Sequence, residues 1–233
     1  MRISNNTRLI QRNKKFSQII LYASLAVLLI GLAWSFTGAD MSQYTTAYLI
    51  LIPAYILVQV SIYMANRWGR SPRPDEIIEQ SLKGLNDQYT LYNYNTGVPH
   101  LLIGPAGVWI IKPYHQYGLI TYNPEKKRYE QKGGANFIAK LFGQEGLTNL
   151  EKDSKIILKD FYKYRNANEI DFGVDPKIIN FFFSDKADVD AKLAPEITIH
   201  SDKLKDVIRN QAKINPLKND LINQIRDQLP DPN

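Results

Sequence analysis

Two long uncharged intervals near the N-terminus constrain this chain more than any other feature. No Asp, Glu, Lys or Arg falls between Phe16 and Ala39, where the core reads IILYASLAVLLIGLAW, and none falls between Met41 and Asn66, where it reads TAYLILIPAYILVQVSIYM. A helix needs about 20 apolar residues to cross a hydrocarbon core. The direct reading is two transmembrane helices, over residues 16–36 and 46–65, joined by a short external loop. Pro53 and Gln59 do not forbid the second span, because neighbouring helices or headgroups satisfy such polar groups. The rival for the first span is a cleavable signal peptide, with Thr37, Gly38 and Ala39 resembling a cleavage site. An apolar run longer than the usual h-region, followed at once by a second span, favours the anchor.

The flanking charges orient the pair. Arg2, Arg8, Arg12, Lys14 and Lys15 precede the first span, no Lys or Arg lies in the connecting loop 37–45, and Arg67, Arg70 and Arg73 follow the second. By the positive-inside rule both ends are cytoplasmic, in the cell membrane. Residues 1–15 then read as a basic cytoplasmic tail and 67–74 as a linker, an ordinary stop-transfer flank rather than a specific lipid site. Trp34, Phe36, Tyr44 and Tyr48 would form the outer aromatic belt, with Tyr63 and Trp68 forming the inner one.

Charge distribution also weakens a nucleic-acid reading. The chain of 233 residues carries a net +6, but residues 1–66 hold five of the 29 basic groups against one of the 23 acids. The remainder is therefore only +2, which is a weak field for nonspecific phosphate binding. Its one compact basic cluster, Lys126, Lys127 and Arg128, reads as a solvated turn and, secondarily, as a binding patch. The absence of cysteine excludes disulfides and thiol chemistry.

Residues 75–233 read as one α/β domain. DEIIEQSLKGL has Asp75 as N-cap and places Ile78, Leu82 and Leu85 on one face, as an amphipathic helix does. YTLYNY, HLLIG, GVWIIK, GLITYN and RYEQK follow as a meander of short strands. Thr148 and Glu151 suggest a capping box for a helix over LEKDSKIILKDFYKYR. KIINFFF is apolar at consecutive positions, as in a strand covered on both faces. PEITIHS reads as a further strand, and two amphipathic helices close the chain.

Within this order, the opening PDEIIEQSLKGL, the phrase HLLIGPAGVWIIK and the glycine of HQYGLI resemble a nuclease-related (NERD) domain. The resemblance covers residues 74–128 and implies a restriction-endonuclease-like fold: a mixed sheet flanked by helices, here preceded by a transmembrane hairpin. Family sequences carry Ile-Asp-His before the first strand of the Gly-Pro-x-Gly hairpin and Glu-x-Lys after the second. Here Pro99 stands in place of the aspartate, Lys112 in place of the glutamate and Tyr114 in place of the lysine; His100 is kept. Magnesium requires oxygen ligands, usually carboxylates. Two ligands are thus missing, and the lysine would repel the ion.

The resemblance therefore implies nuclease ancestry, while the residues imply a pseudoenzyme: no cofactor, and a binding or scaffolding role toward nucleic acid or protein at the bilayer. One alternative is an active Mg²⁺-dependent nuclease whose ligands have moved to Glu76, Glu79 and Glu130. The other is a structural or assembly protein that oligomerises through its hairpin. Glu76 and Glu79 also suit the positive end of their helix without any metal. His100 and His115 are too few for a metal site. Neither Walker A, dinucleotide-binding, HExxH nor GxSxG patterns occur.

Overall fold

A computed structural model describes residues 1–36, 41–136 and 146–230, with the backbone alone for 41–44, 46 and 47. The cleavage-like Thr37, Gly38 and Ala39 and the side chain of Tyr44 lie outside the described residues. The chain forms two units, one helical (Thr7–Arg73) and one α/β (Met1–Asn6 together with the described residues from Pro74 onward).

The helical unit holds α1 (Thr7–Ser35) and α2 (Met41–Met64), with a π-helical turn, Ala65–Gly69, at the end of α2. Both are long and apolar enough to cross a membrane, and only 17% and 11% of their most apolar windows are buried. That low burial distinguishes them from core helices of a soluble protein, whose apolar faces are covered. Ile10, Ser17, Ser24 and Gly31 are buried along α1 at a spacing of seven, with Gly31 against α2 and Ser17 against the turn that follows it. Small residues let the backbones approach. A Cβ on Gly31 would lie 2.9 Å from Ile50 Cγ2, and one on Gly69 would lie 3.1 Å from Ser17 Oγ, so the helices run antiparallel. The hydroxyls of Ser24 and Ser61 donate to the carbonyls of Leu21 and Val58, each at 2.8 Å, so both are satisfied within their own helices.

The α/β unit is a mixed six-stranded sheet between two helical layers, with a smaller sheet beside it. Its elements are β1 (Arg2–Asn5), α3 (Pro74–Ser81), β2 (Thr90–Asn93), β3 (His100–Gly104), β4 (Gly107–Tyr114), β5 (Gly118–Asn123), β6 (Arg128–Lys132), α4 (Leu150–Ala167), β7 (Lys177–Phe182), β8 (Ala187–Asp190), β9 (Ile197–His200), α5 (Leu204–Ile214) and α6 (Asn219–Asp227). The large sheet has the order β1-β2-β3-β4-β7-β9 and the small one β6-β5-β8. Pairs β2/β3 and β3/β4 are antiparallel, whereas β1/β2, β4/β7 and β7/β9 are parallel. The expected meander therefore divides: its last two strands leave the main sheet.

Alternation along the strands fills two cores. Leu91, Leu102, Trp109, Ile111, Ile179 and Phe181 pack with Ile78 of α3, Leu82 just beyond its end, and Leu204 and Ile208 of α5. Tyr92, Leu101, Ile103, Val108, Ile110 and Ile178 pack with Ile157 and Phe161 of α4 and Ile222 and Ile225 of α6. KIINFFF supplies an interior strand, with every residue from Ile178 to Phe182 buried, which is why it lacks polar alternation.

Three local expectations change. Residues 1–15 are not a uniform tail: Arg2–Asn5 form an edge strand, paired from Arg2↔Thr90 to Asn5↔Asn93, and α1 starts at Thr7. Pro74 opens α3, so Asp75 is a buried residue of its first turn rather than its cap, as suits proline's missing N–H. Asn149, not Thr148, caps α4 by accepting from the Lys152 amide at 3.0 Å. Thr148 instead donates to Asp153 Oδ2 at 2.7 Å.

Candidate functional site

The Gly-Pro-Ala-Gly hairpin joins β3 to β4. Gly107 takes φ +108, a conformation that costs glycine little. Trp109 donates its indole N–H to the Ala106 carbonyl at 2.9 Å, bracing the turn. Away from the turn, the strands present polar side chains to both faces of the sheet.

On the α3 face, Asn5, Asn93 and His100 stand on β1, β2 and β3, below Glu79. The amides of Asn5 and Asn93 donate to Glu79 Oε1 at 3.0 and 2.9 Å. Asn93 also donates to Asn5 Oδ1 at 2.8 Å, and its Oδ1 bonds to His100 Nδ1 at 2.8 Å. The His100 ring packs edge-on against Tyr94, with centroids 5.0 Å apart. Burial raises the Glu79 pKa, as do the charges of Asp75 and Glu76, while the two amides offset part of the rise. This is a chain of side-chain bonds converging on one carboxylate.

On the α4 face, Lys112, Asn180 and Thr198 form a row across β4, β7 and β9, since Lys112↔Asn180 and Asn180↔Thr198 are register partners. The Lys112 ammonium lies 3.0 Å from Asp153 Oδ2 of α4 and 5.2 Å from the Tyr114 ring centroid. Asn180 donates to Thr198 Oγ1 at 3.2 Å and, more weakly, to the Tyr129 hydroxyl at 3.4 Å. Tyr114 stacks on Phe182 with centroids 5.1 Å apart. Its hydroxyl is buried, as are Asn180 Oδ1 and Ser154 Oγ, and none of the three completes a hydrogen bond among the described residues. Burial drives the Tyr114 pKa strongly upward and pushes that of Tyr129 up to about 12. Glu196 adjoins this row; burial raises its pKa, and the charge of Glu151 adds to the rise.

The motif positions thus serve structure in distinct ways. Lys112 and Tyr114 belong to the α4 face, whereas Glu76 and Glu79 belong to α3 on the other side of the sheet. Pro99 precedes β3, and its carbonyl accepts the Tyr94 amide at 2.8 Å. Glu130 lies in the small sheet, where Lys126 and Arg128 reach its carboxylate at 3.7 and 3.3 Å and hold its pKa below the usual range, the Arg128 hydrogen bond contributing most. Glu79 and Glu130 therefore do not belong to one site. Among the described residues, no group of three or more His, Cys, Asp and Glu is arranged to hold a metal ion.

The basic turn is partly committed as well. Lys126 and Arg128 face Glu130, and Lys127 takes φ 48 in the turn. The nearby tyrosines engage each other edge-to-face at 5.1 Å. Tyr122 donates to Glu151 at 3.0 Å, and the Tyr129 hydroxyl bonds Thr198 at 2.9 Å. Their rings are thus held within the domain, unlike the open stacking platforms that bind single strands.

Asn5, Asn93, Asp153, Asn180 and Glu196 are polar groups that the motif reading passed over. Asn180 had a visible signal, since an amide inside an apolar, doubly covered strand must find partners. Asn5 had none, because its partners lie more than seventy residues away in sequence. Comparisons of the chain with family models, with curated proteins and with solved structures find no match.

Proposed function

We propose that this chain is a two-span membrane protein whose α/β unit, of nuclease-related ancestry and restriction-endonuclease-like plan, serves at the cytoplasmic surface as a binding or scaffolding module without nuclease activity. The observation that carries the reading is the Lys112–Asp153 ion pair at 3.0 Å. A cation occupies the strand position where the nuclease pattern needs an acid, and the acid that faces it is neutralised by it. Two unit charges at about 4 Å interact by roughly 4 kcal/mol at an effective dielectric of 20, so a divalent ion would meet both repulsion and a spent ligand. On the opposite face, two amides hold the single carboxylate of Glu79.

Membrane insertion is supported by the outward apolar faces of α1 and α2. Orientation is supported by the flanking cations. Nucleic acid and protein are both partners that such a module can take; the committed basic turn favours protein.

The test uses the full chain in detergent or nanodiscs, because a fragment beginning near residue 70 would lack β1. Incubation with Mg²⁺ or Mn²⁺ and plasmid DNA is expected to leave the DNA intact. Cleavage that disappears in Glu79→Ala would establish the alternative, a metal-dependent nuclease with relocated ligands.

A further inference from the structure

The cations flanking the hairpin form a collar on the helical unit. α1 begins at Thr7, so Arg8, Arg12, Lys14 and Lys15 stand on its first turns, and all four are exposed. At 100° per residue, Arg8, Arg12 and Lys15 fall on one stripe, opposite the buried Ile10 and Ser17. The same outward face continues with Ile19, Tyr22 and Ile30, exposed by 63%, 70% and 61%. One helix face therefore changes from cationic to apolar at Phe16. The cationic part spans about 10 Å at 1.5 Å per residue, comparable to the polar layer on one side of a bilayer.

The second helix ends at the same level, because the pair is antiparallel and Ser17 adjoins Gly69. Exposed apolar side chains run along α2 to Tyr63, whose hydroxyl accepts from Arg67 Nη1 at 3.4 Å. Arg67 also lies over the Trp68 ring, 5.7 Å from its centroid. Arg70 and Arg73 follow. The helical unit thus carries seven cations in these flanks, with Arg8, Arg12, Lys14 and Lys15 exposed and Arg67, Arg70 and Arg73 half-buried. Topology alone needs a charge excess; it does not need one ordered as a stripe that meets an apolar face at the headgroup level.

We infer that this collar is a recognition surface for anionic phospholipid headgroups. Five of its seven cations are arginines, and a guanidinium fork matches two phosphate oxygens. The inference rests on the membrane-spanning reading, so the test separates the two. Membranes carrying the full chain are first washed in alkaline carbonate. The chain is then purified in mild detergent from vesicles of equimolar phosphatidylglycerol and phosphatidylcholine, and co-purifying lipid is counted by native mass spectrometry.

The expected result is carbonate resistance and an enrichment of phosphatidylglycerol of about fivefold, declining as salt rises from about 0.1 M to about 1 M. The Arg8→Gln, Arg12→Gln, Lys15→Gln variant and the Arg67→Gln, Arg70→Gln, Arg73→Gln variant should each approach parity, while Arg→Lys replacements, which keep the charge but lose the two-pronged contact, should fall between these and the wild type. Release by carbonate overturns both readings. Retention with equal lipid counts, or with a preference the glutamines leave unchanged, overturns the collar alone. RNA binding by the detergent-purified chain with that same dependence on the cations, and no lipid preference, assigns the surface to polynucleotide instead.

Discussion

Asp153 shows how one acid on α4 is committed to structure. Its Oδ2 receives both the Lys112 ammonium at 3.0 Å and the Thr148 hydroxyl at 2.7 Å. The Lys112 side chain is only 19% exposed, so removing its counterion leaves a charge poorly hydrated. Asp153→Ala is expected to cost about 1–3 kcal/mol, read by thermal unfolding of the α/β unit within the full chain. Lys112→Met should cost less, because Asp153 keeps Thr148; an equal cost would mean that the pair contributes through packing. Glu196 provides a pH test. Its folded-state pKa lies above its ordinary value, chiefly because of burial, so the folded protein holds that proton more tightly. The associated stability is complete below the ordinary Glu range and is lost as pH rises through the raised value. From about pH 4 to about pH 7, the wild type should therefore lose stability relative to Glu196→Gln. A gap between the two melting curves that stays constant with pH would refute this.

At the scale of elements, β1 is the least expected part and the most consequential. Its Ser4 is buried, accepts the Asn95 amide at 2.7 Å, and lies between the Arg2 and Asn6 amides that donate to Tyr89 and Asn93. Ser4→Pro removes a ladder donor and this side-chain bond together, an expected loss of about 2 kcal/mol. Faster amide exchange across Thr90–Asn93 would register it; unchanged protection would mean that β1 docks without stabilising the sheet. Such a strand is hard to read in MRISN, where charge and position beside an apolar run suggest a tail and the partner lies far along the chain. The elements with local signals were legible. Ile78, Leu82 and Leu85 all reach the core, although α3 ends at Ser81 and the two leucines follow it in the turn, and KIINFFF supplies a strand covered on both faces. β8 reads poorly because Ala-Asp-Val-Asp has little β-propensity, and with it went the small sheet, since the departure of β5 and β6 depends on that pairing. The site was legible only as positions: Pro99, Lys112 and Tyr114 can be marked by comparison with a resembled motif, whereas Asp153 and Asn180 become neighbours of Lys112 through helix packing and register.

At the scale of the molecule, the two units impose a condition on each other through chain connectivity. β1 precedes the helical hairpin and β2 follows it, yet the two strands are hydrogen-bonded neighbours in one sheet. A membrane cannot separate them. The number of crossings between Asn6 and Pro74 must be even, and the two apolar helices meet that condition independently of the charge rule. Insertion of only one helix would leave β1 and β2 on opposite sides and expose the β2 edge, a template for aggregation. The chain has no native cysteine, so single thiols can report sidedness. Arg2→Cys and Lys126→Cys, both at exposed positions, are expected to react with an impermeant maleimide only after permeabilisation, whereas Thr45→Cys should react in intact cells. Reaction of Arg2→Cys and Lys126→Cys from opposite sides would be incompatible with the β1–β2 pairing. Reaction of Arg2→Cys and Lys126→Cys in intact cells, with Thr45→Cys protected until permeabilisation, would keep the sheet but reverse the orientation that the flanking arginines and lysines predict.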